Sequence, residues 1–320
     1  MNNVYGIDIA KKSFESHGDI SSDSSIKKSY ANTADGHCCF ISNLAPGSFC
    51  VMEASGPYYL SLACRLVEAG MKVSVVNPLV IRRYSQMQLR RTKTDQVDAE
   101  LIAQYARQYQ DQLRLWEPPK QVFLQLQQIL ASLTLLEKQL QMLKNQQEAM
   151  AQIQTEDPVV KQAQNQLIEG LKSNMKKLEK QQLHLSKTHF KDTYEALISI
   201  PGIGPKTATL LICITHDFTR FESAKQLVAY VGLCPRIFRS GSSVHGKERI
   251  VKMGQTLARK YLYMGAFSAM RVNPLCEKMV ENMKSKGKHY RVIRVAVAHK
   301  LLRQAFAIAK SGVHFESEFL

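Results

Sequence analysis

Apolar residues in the first 115 positions fall in short runs separated by polar turns, a pattern that predicts strands and short helices. The run from Val4 to Ala10 predicts a buried strand, and turn signals at Gly18-Asp19 and at residues 21–25 divide the chain up to Thr33 into three strands. The predicted series continues with a helix around residues 34–44, a strand carrying Glu53, a helix over Tyr58–Ala69, a strand over Lys72–Val76 and a helix carrying Asp95 and Asp98. This β-β-β-α-β-α-β-α order predicts an α/β domain over residues 1–115.

The middle of the chain has a different period. From Val122 to Ile153 apolar residues alternate at spacings of three and four over a Gln-rich background, which predicts a long helix. Asp157-Pro158 interrupts the pattern, and a second helix follows with Gln182 at one expected apolar position. The apolar positions of the two helices are Leu126, Ile129, Leu133, Leu136, Leu140 and Leu143, then Ile168, Leu171, Met175, Leu178 and Leu185.

These two helices form an arm over residues 116–190. They meet at a turn, so they make either an antiparallel hairpin that packs on its own domain or a coiled coil across protomers, and two to three heptads do not choose between these. Beyond the arm, apolar residues again recur at helical spacing, as in Val292–Val297 and Leu301-Leu302. Residues 191–320 are therefore predicted to form a C-terminal helical domain.

Four acidic residues of the N-terminal third are candidates for chemistry. Asp8 and Glu53 lie within apolar, strand-like runs, where an unpaired carboxylate is costly. Asp95 and Asp98 are three residues apart at the start of a helix, which places both on one helix face. Oxygen-only ligands select Mg²⁺ or Mn²⁺, and two such ions can hold the attacking and leaving oxygens of a phosphodiester.

A structural explanation of these acids is also open. Asp95 is a good helix N-cap, Asp98 can be a solvated helix residue, and Asp8 can end a strand. Asp8 and Glu53 favour the metal site, because acids in Val/Ile strands are seldom left without a partner.

The charge balance indicates a polyanionic partner. The chain has 43 Lys and Arg against 27 Asp and Glu, which gives a net charge of +16 and a pI near 9.5. Between Arg236 and Lys310 there are 17 Lys and Arg and only three acids. Because this segment also has helical apolar periodicity, we expect a folded basic face rather than a basic tail.

The sequence predicts a cytoplasmic protein that does not bind a membrane. No apolar run approaches the roughly 18 residues of a membrane span, and the N-terminus lacks the basic start and apolar core of a signal peptide. The seven cysteines contain no C-x-x-C pair, so neither a disulfide framework nor a zinc site is indicated, and we expect reduced, mostly buried thiols.

A Pro-Gly-Ile-Gly turn at residues 201–204 resembles a helix-hairpin-helix motif. Its backbone N–H groups and the following helix N-terminus can hold a phosphate without reading base sequence. The alternative is a tight turn between two helices with no ligand. The residues predicted to contact nucleic acid here are Gly202, Gly204, Lys206 and Thr207.

Further motifs follow in a fixed order: Gly232-Leu-Cys-Pro235, Arg239-Ser240-Gly241, and Lys252-Met-Gly254. The order of the N-terminal elements and acids resembles the RNase H-like fold of RuvC-type nucleases. The full series of acid tetrad, helical arm, hairpin turn and these motifs resembles the DEDD transposases of insertion-sequence family one-ten, which includes the Piv-type DNA invertases. Members usually have a serine before the lysine and an asparagine after the glycine, where this chain has Val251 and Gln255.

The resemblance implies roles for particular residues. Asp8, Glu53, Asp95 and Asp98 match the family's metal-binding tetrad, and Ser240 matches its nucleophile, which joins DNA through a phosphoserine. It also implies donor and target DNA as substrates, a noncoding bridge RNA as guide in some members, and assembly as homodimers or homotetramers. The basic residues predicted to contact nucleic acid are Arg236, Arg239, Lys247, Arg249 and Lys252.

Three alternatives remain at this stage. The residues alone do not choose Ser240 over Ser242 or Ser243, since a Ser-Gly-Ser-Ser cluster is typical of a flexible turn, and a loop residue such as His245 is more often solvated than catalytic. A RuvC-like nuclease would use the tetrad and water and would not need the serine. A non-catalytic nucleic-acid-binding protein would use only the turn and the basic face.

Overall fold

The computed structural model describes residues 3–20, 24–54, 56–89, 95–152, 157–236, 239–240, 244–245, 249–251 and 253–316. The side chains of residues 19–20, 24–27, 95–96 and 236–249 lie outside this description. The chain divides into two units, residues 1–119 and residues 120–320. The first unit is a mixed α/β structure, and the second is mainly helical.

A five-stranded sheet forms the centre of the first unit, with the strand order β3-β2-β1-β4-β5. The first three strands are antiparallel to one another, and β1, β4 and β5 run parallel. The three strands predicted before Thr33 are confirmed, as are the two that follow. The strands are β1 (Val4–Ile9), β2 (Ser13–Ile20), β3 (Ser24–Ala31), β4 (Phe49–Glu53) and β5 (Lys72–Val76).

Helices cover both faces of this sheet. One face packs against α1 and α2 through a core that includes Ile7, Phe40 and Leu62, and the other packs against α3 and α4 through Val51, Tyr84 and Ile102. The sequence series omitted α3, which begins where the Asn77 side chain accepts a hydrogen bond from Leu79 N. The bounds are α1 (Ala34–Ser42), α2 (Tyr59–Glu68), α3 (Pro78–Met87), α4 (Asp95–Gln108) and a 3₁₀ turn at Gln110–Gln112.

One predicted turn was wrong. Gly18 and Asp19 lie inside β2, and the connection to β3 comes later, at residues 21–23, which are outside the described residues. The glycine has a packing reason instead, since a Cβ at Gly18 would overlap the ring of Tyr5 on the neighbouring strand. A glycine inside a strand that makes room for an aromatic ring therefore cannot be told from a turn glycine by sequence alone.

The arm is a hairpin of two long helices, α5 (Gln121–Met150) and α6 (Pro158–His189), that pack on each other. The Asp157 side chain caps α6 by accepting from Val159 N at 2.8 Å and Val160 N at 3.2 Å. Gln147 Nε2 donates to Asn165 Oδ1 at 2.9 Å across the hairpin. The base of the arm shares one apolar core with the helices that follow; its members there include Leu126, Ile129, Leu133 and Leu185.

The rest of the second unit is built around α12, whose residues Ile293, Val297 and Leu301 are buried. The predicted helical character of this basic segment is confirmed. No helix in the described part of the chain is long and apolar enough to cross a membrane. The remaining elements are α7 (Lys191–Ile198), α8 (Pro205–Thr215), α9 (Ala224–Val231), β6 (Pro235–Arg236), β7 (Arg239–Ser240), β8 (Val244–His245), β9 (Arg249–Ile250), α10 (Thr256–Val272), α11 (Pro274–Ser285) and α12 (Tyr290–Ser311).

The cysteines are less buried than the sequence predicted. Cys38 and Cys39 are exposed on α1, whereas Cys50, Cys213 and Cys276 are buried. Burial raises the pKa of Cys213 to about 12 and that of Cys276 to about 11. These two thiols therefore stay protonated at neutral pH and are poor nucleophiles.

Gly6 sets how closely α4 approaches the sheet. A Cβ at this position of β1 would overlap Ala99 O and Ala103 N of α4, so the helix backbone lies directly on the strand. A side chain of any size here must push α4 outward, because a helix backbone cannot move aside as a flexible side chain can.

We expect Gly6→Ala to lower the free energy of unfolding by about 1–3 kcal/mol, since overpacking against backbone forces the helix to shift. Thermal and urea unfolding followed by circular dichroism measure this. Gly170→Ala is the matched control, because nothing lies within 4 Å of a Cβ added to this glycine of α6. The control should stabilise the protein by about 0.5–1 kcal/mol. Equal stability of Gly6→Ala and wild type would contradict the close packing of α4.

Candidate active site

Two of the predicted acids are neighbours on parallel strands. Ile7 of β1 is in register with Met52 of β4, so Asp8 and Glu53 form the next pair along. Side chains in register on neighbouring parallel strands point to the same face of a sheet. Both carboxylates are half-buried at the carboxyl ends of their strands, where ligands bind in open α/β sheets.

Helix α4 brings a third acid to that face. Gly6 lies two residues before Asp8 and therefore faces the same way, and it lies against Ala99 and Ala103 of α4. Asp98, half-buried, directly precedes Ala99. The structure thus places Asp8, Glu53 and Asp98 on the side of the sheet that α4 covers.

The fourth acid, Asp95, is the first residue of α4, one turn before Asp98. Its side chain lies outside the described ones. Among the described residues, no group of three or more His, Cys, Asp or Glu is already close enough to hold a metal ion. The donor chemistry nevertheless fits Mg²⁺ or Mn²⁺, because every acid on this face offers only carboxylate oxygens.

Sequence reasoning missed a fifth carboxylate at this site. Glu15 of β2 is directly opposite Asp8 in the antiparallel β1–β2 pair, and it is half-buried. Directly opposed residues of an antiparallel pair share a face, and like charges there destabilise the pair. The length of the turn at residues 10–12 determines which residues of β1 and β2 are paired. Because the sequence did not fix that length, it did not reveal that Glu15 lies opposite Asp8.

Ser240, the predicted nucleophile, lies in the second unit on a small antiparallel hairpin. In this hairpin, Ser240 of β7 is opposite Val244 of β8, and Arg239 is opposite His245. Ser242 and Ser243 fall in the connection at residues 241–243, which is outside the described residues, as are Lys247 and Lys252. The two basic strand residues Arg236 and Arg249 are paired in register in the β6–β9 ladder, on either side of the hairpin in sequence.

Two glycines fix the base of this hairpin segment. Gly232 ends α9 at φ +81°, and a Cβ there would overlap Met253 O. Gly254, at φ +117°, would likewise overlap Tyr230 O if it carried a Cβ. Both positions therefore require glycine for conformation and for contact. The β6–β9 segment that carries Ser240 is held between these two points, and Val251 N donates to Cys234 O at 2.9 Å nearby.

The predicted phosphate-binding turn joins α7 to α8. Gly202 adopts φ +105°, and a Cβ there would lie 2.6 Å from Ala269 Cβ, so this glycine is required for packing against α10. Thr207 is buried, whereas Gly204, the N-cap of α8, is exposed and has open space beside it. The exposed part of the turn is thus the helix N-terminus around Gly204.

Lys206 has partners that the sequence did not indicate. Its ammonium forms ion pairs with Glu137 of α5 at 3.1 Å and with Glu179 of α6 at 2.8 Å. Lys260 of α10 reaches the other oxygen of Glu137 at 3.4 Å. These carboxylates raise the pKa of Lys206 despite partial burial, whose desolvation lowers it. The residue therefore ties both arm helices to α8, and its predicted contact with phosphate stays a prediction.

Comparison with known proteins identifies the class, that of the DNA-recombining transposases. Residues 5–154 match the model for the DEDD transposase domain of IS110, described as "Transposase", and residues 194–281 match the "Transposase IS116/IS110/IS902 family". The chain belongs to the IS110 family of transposases, whose members are DNA recombination enzymes.

Named relatives agree with this family. The chain is 33% identical over 269 residues to the "Pilin gene-inverting protein" of Moraxella lacunata, covering 83% of this chain and 81% of the relative. It is 32% identical, with the same coverage, to the protein of that name from Moraxella bovis. It is also 30% identical over 138 residues to the "Transposase for insertion sequence element IS1328" of Yersinia enterocolitica, covering 40% of each chain.

We expect Lys206→Met to lower the free energy of unfolding by about 0.5–1 kcal/mol, because it leaves two carboxylates facing each other in a partly exposed network. Lys172→Met, which removes an exposed lysine from the middle of α6, is the matched control and should have no effect. A double-mutant cycle with Glu179→Gln, measured by urea unfolding, isolates the pair. If Lys206→Met leaves stability unchanged but weakens the salt dependence of DNA binding, Lys206 instead contacts a DNA phosphate.

Proposed function

We propose that this chain is a site-specific DNA recombinase that moves its own insertion sequence. It cuts and rejoins DNA through a phosphoserine at Ser240, with Mg²⁺ held by Asp8, Glu53, Asp95 and Asp98. The observation that carries the proposal is the placement of Asp8, Glu53 and Asp98 on one side of the sheet, in a chain of the IS110 family.

The sheet supports an RNase H-like, RuvC-like assignment for the first unit. Three antiparallel strands are followed by two parallel ones in the order β3-β2-β1-β4-β5, with acids on the central strands β1 and β4 and on α4. In this topology the first and fourth strands are neighbours, so residues 45 positions apart in sequence meet at one strand end. An acid pair of this kind is suited to hold a divalent cation near a phosphate.

The tetrad would hold the metal through carboxylate oxygens. When bound, Mg²⁺ would neutralise the negative charge that develops on the phosphodiester oxygens as the phosphorus is attacked. The protein's own part is to fix the carboxylates: Gly6 holds α4 against β1, and the parallel β1–β4 register holds Asp8 beside Glu53. Cation binding would also relieve the repulsion between Asp8 and Glu15.

The proposed reaction exchanges one phosphodiester for another. Ser240 Oγ forms a bond to phosphorus while the bond to one deoxyribose oxygen breaks. The Oγ proton passes to a carboxylate oxygen or to water, and the released deoxyribose oxygen takes up a proton to become a hydroxyl. Because one phosphate ester replaces another, a second DNA strand's hydroxyl can reverse the step and reseal the backbone without an external energy source.

We assign nucleic-acid contacts to the second unit. The exposed N-terminus of α8 at Gly204 offers backbone N–H groups, and the segment from β6 to β9 carries Arg236, Arg239 and Arg249 as well as Ser240. Donor and target DNA are the substrates, and a noncoding bridge RNA is the proposed guide. Positive charge attracts DNA and RNA alike, so the same residues can contact either polymer.

The arm is proposed to link protomers in a homodimer or homotetramer. Each arm helix carries two exposed apolar residues spaced seven apart, Leu135 and Met142 on α5 and Val160 and Leu167 on α6. A spacing of seven keeps both residues of each pair on one helix face. These faces are additional to the apolar residues that join α5 to α6, so the internal hairpin leaves them available to a second copy.

The decisive experiment is detection of a covalent protein–DNA adduct. We expect the full chain, incubated with its native flanking DNA and any adjacent noncoding RNA in Mg²⁺, to form an adduct that maps to Ser240 by peptide mass spectrometry. Ser240→Ala should abolish it, and Asp8→Asn should reduce it by roughly a hundredfold or more, because charge stabilisation of the transition state is lost. Chelation by EDTA should abolish it reversibly.

Matched controls separate the roles of these residues. Ser242→Ala and Ser243→Ala should keep the adduct, and Asp35→Asn, which changes an exposed acid at the start of α1, should keep full activity. Cleavage that persists in Ser240→Ala with no adduct would show a hydrolytic nuclease. DNA binding without any cleavage would show a non-catalytic binding protein.

For assembly, we expect Leu135→Lys combined with Leu167→Lys to shift the protein toward the monomer in light scattering coupled to size exclusion, because the charges would be buried between protomers. Gln141→Lys combined with Gln166→Lys adds the same charge at exposed polar positions six residues beyond Leu135 and Val160, which places it off the paired faces, and should leave the mass unchanged. Identical masses for both double variants would exclude these faces as the interface.

A further inference from the structure

An exposed cluster of aromatic and arginine side chains lies where α10 and α12 pack together. On α10 the residues recur at every fourth position, so they form one stripe along that helix. At the start of α12 they continue from the N-cap residue His289 onward. The cluster, called here the aromatic–arginine patch, consists of Tyr263, Phe267, Arg271, Tyr290, Arg291 and Arg294.

Arg294 is the centre of the patch. Its guanidinium carbon lies 4.9 Å from the ring centre of Tyr263, 5.0 Å from that of Phe267 and 5.7 Å from that of Tyr290. It also donates to Tyr263 Oη at 3.3 Å. These contacts fall within the range of cation–π attraction and hold the three rings in place. The patch is therefore preorganised by a single arginine.

The outer part of the patch is open to solvent. Phe267 is 49% exposed and Tyr290 is 52% exposed, although large aromatic side chains are usually mostly covered. Arg271 lies 5.0 Å from the Phe267 ring, and Arg291 lies 5.8 Å from the Tyr290 ring. Each exposed ring thus has its own flanking cation.

None of the carboxylates in the described residues neutralises these cations. Neither α10 nor α12 contains an Asp or Glu, and none of the carboxylates that the structure describes forms an ion pair with Arg271, Arg291 or Arg294. An exposed aromatic ring beside an unneutralised planar cation matches a ligand that has both a flat π-system and a negative charge. Nucleotides have both, in the base and the phosphate.

We propose that the aromatic–arginine patch binds unpaired nucleotides of a single-stranded nucleic acid. Bases stack on Phe267 and Tyr290, and the adjacent phosphates contact Arg271 and Arg291. A duplex is a poor ligand, because its bases are already stacked on one another and turn only their edges outward. The inference rests on the proposed function in that nucleic acid is the partner, but it does not depend on strand cleavage.

The test is binding of the full chain to fluorescent 20-nucleotide oligo(dT) and oligo(U) and to a 20-base-pair duplex, by anisotropy over a salt series. Phe267→Ala and Tyr290→Ala should each weaken single-strand binding by about fivefold or more. Duplex binding should change by less than twofold, and the salt dependence should stay the same, because no charge is removed. Phe267→Trp should restore binding.

Val313→Ala is the matched control, since it truncates an apolar residue that is 55% exposed and lies beyond the far end of α12, away from the patch. Equal losses on duplex and single strand, or no loss on either, would overturn the proposal. So would a changed oligomeric state with unchanged single-strand affinity, which would make the patch a protein interface. A larger loss with oligo(U) assigns the patch to RNA, and equal losses assign it to single strands in general.

The two proposals fail separately. If wild-type protein forms no Ser240 adduct but binds single strands, the proposed recombinase reaction is wrong and the proposal for the patch stands. If the adduct forms normally but Phe267→Ala and Tyr290→Ala bind single strands as tightly as wild type, only the proposal for the patch is wrong.

Discussion

The contact between Gly6 and the backbone of α4 is the constraint on which the candidate active site depends. Packed layers of secondary structure normally stand well apart, as two stacked sheets do at about 10 Å, because side chains separate them. Here a strand residue without a side chain lets Ala99 and Ala103 meet the strand directly. Asp8 lies two residues after Gly6 along β1, so its side chain is on the same side of the sheet as α4 and Asp98. A carboxylate cluster for a metal requires such closeness, since the acidic side chains are short.

The second unit uses the same device at Gly232 and Gly254. Both glycines combine positive φ with a backbone contact that leaves no room for a Cβ, and together they fix the two ends of the segment that carries Ser240. Under the proposed function, the reacting groups of this chain are positioned by close backbone contacts at three glycines. Rigid positioning of this kind supports catalysis, because misplacement of a reacting group by about 1 Å can cost a hundredfold in rate.

Sequence patterns predicted the parts of the fold that depend on local periodicity. The strands of the sheet, the two arm helices and the helical C-terminal segment follow from the spacing of apolar residues. Asp8 and Glu53 were singled out because they interrupt apolar strands, and Asp95 and Asp98 because their spacing places them on one helix face. Contacts between distant elements gave no such signal. The pairing of Asp8 with Glu15 depends on hairpin register, and that of Lys206 with Glu137 joins residues 69 positions apart. Gly18 resembles a turn glycine in the sequence, but it is required because a side chain there would overlap the ring of Tyr5 on the neighbouring strand. The aromatic–arginine patch appears only when two helices 18 residues apart along the chain pack together.

The division of residues between the units has a mechanistic consequence under the proposed function. The carboxylates belong to residues 1–119 and the serine to residues 120–320, so the proposed reaction uses residues of both units. A phosphoserine intermediate conserves the energy of the DNA linkage only if water does not reach the phosphorus before the second strand's hydroxyl does. Because the proposed reaction needs both the carboxylates and Ser240 at one phosphodiester, cleavage can occur only after both have engaged the DNA. Separation of the acids from the nucleophile would thus restrict cleavage to complexes in which resealing can follow.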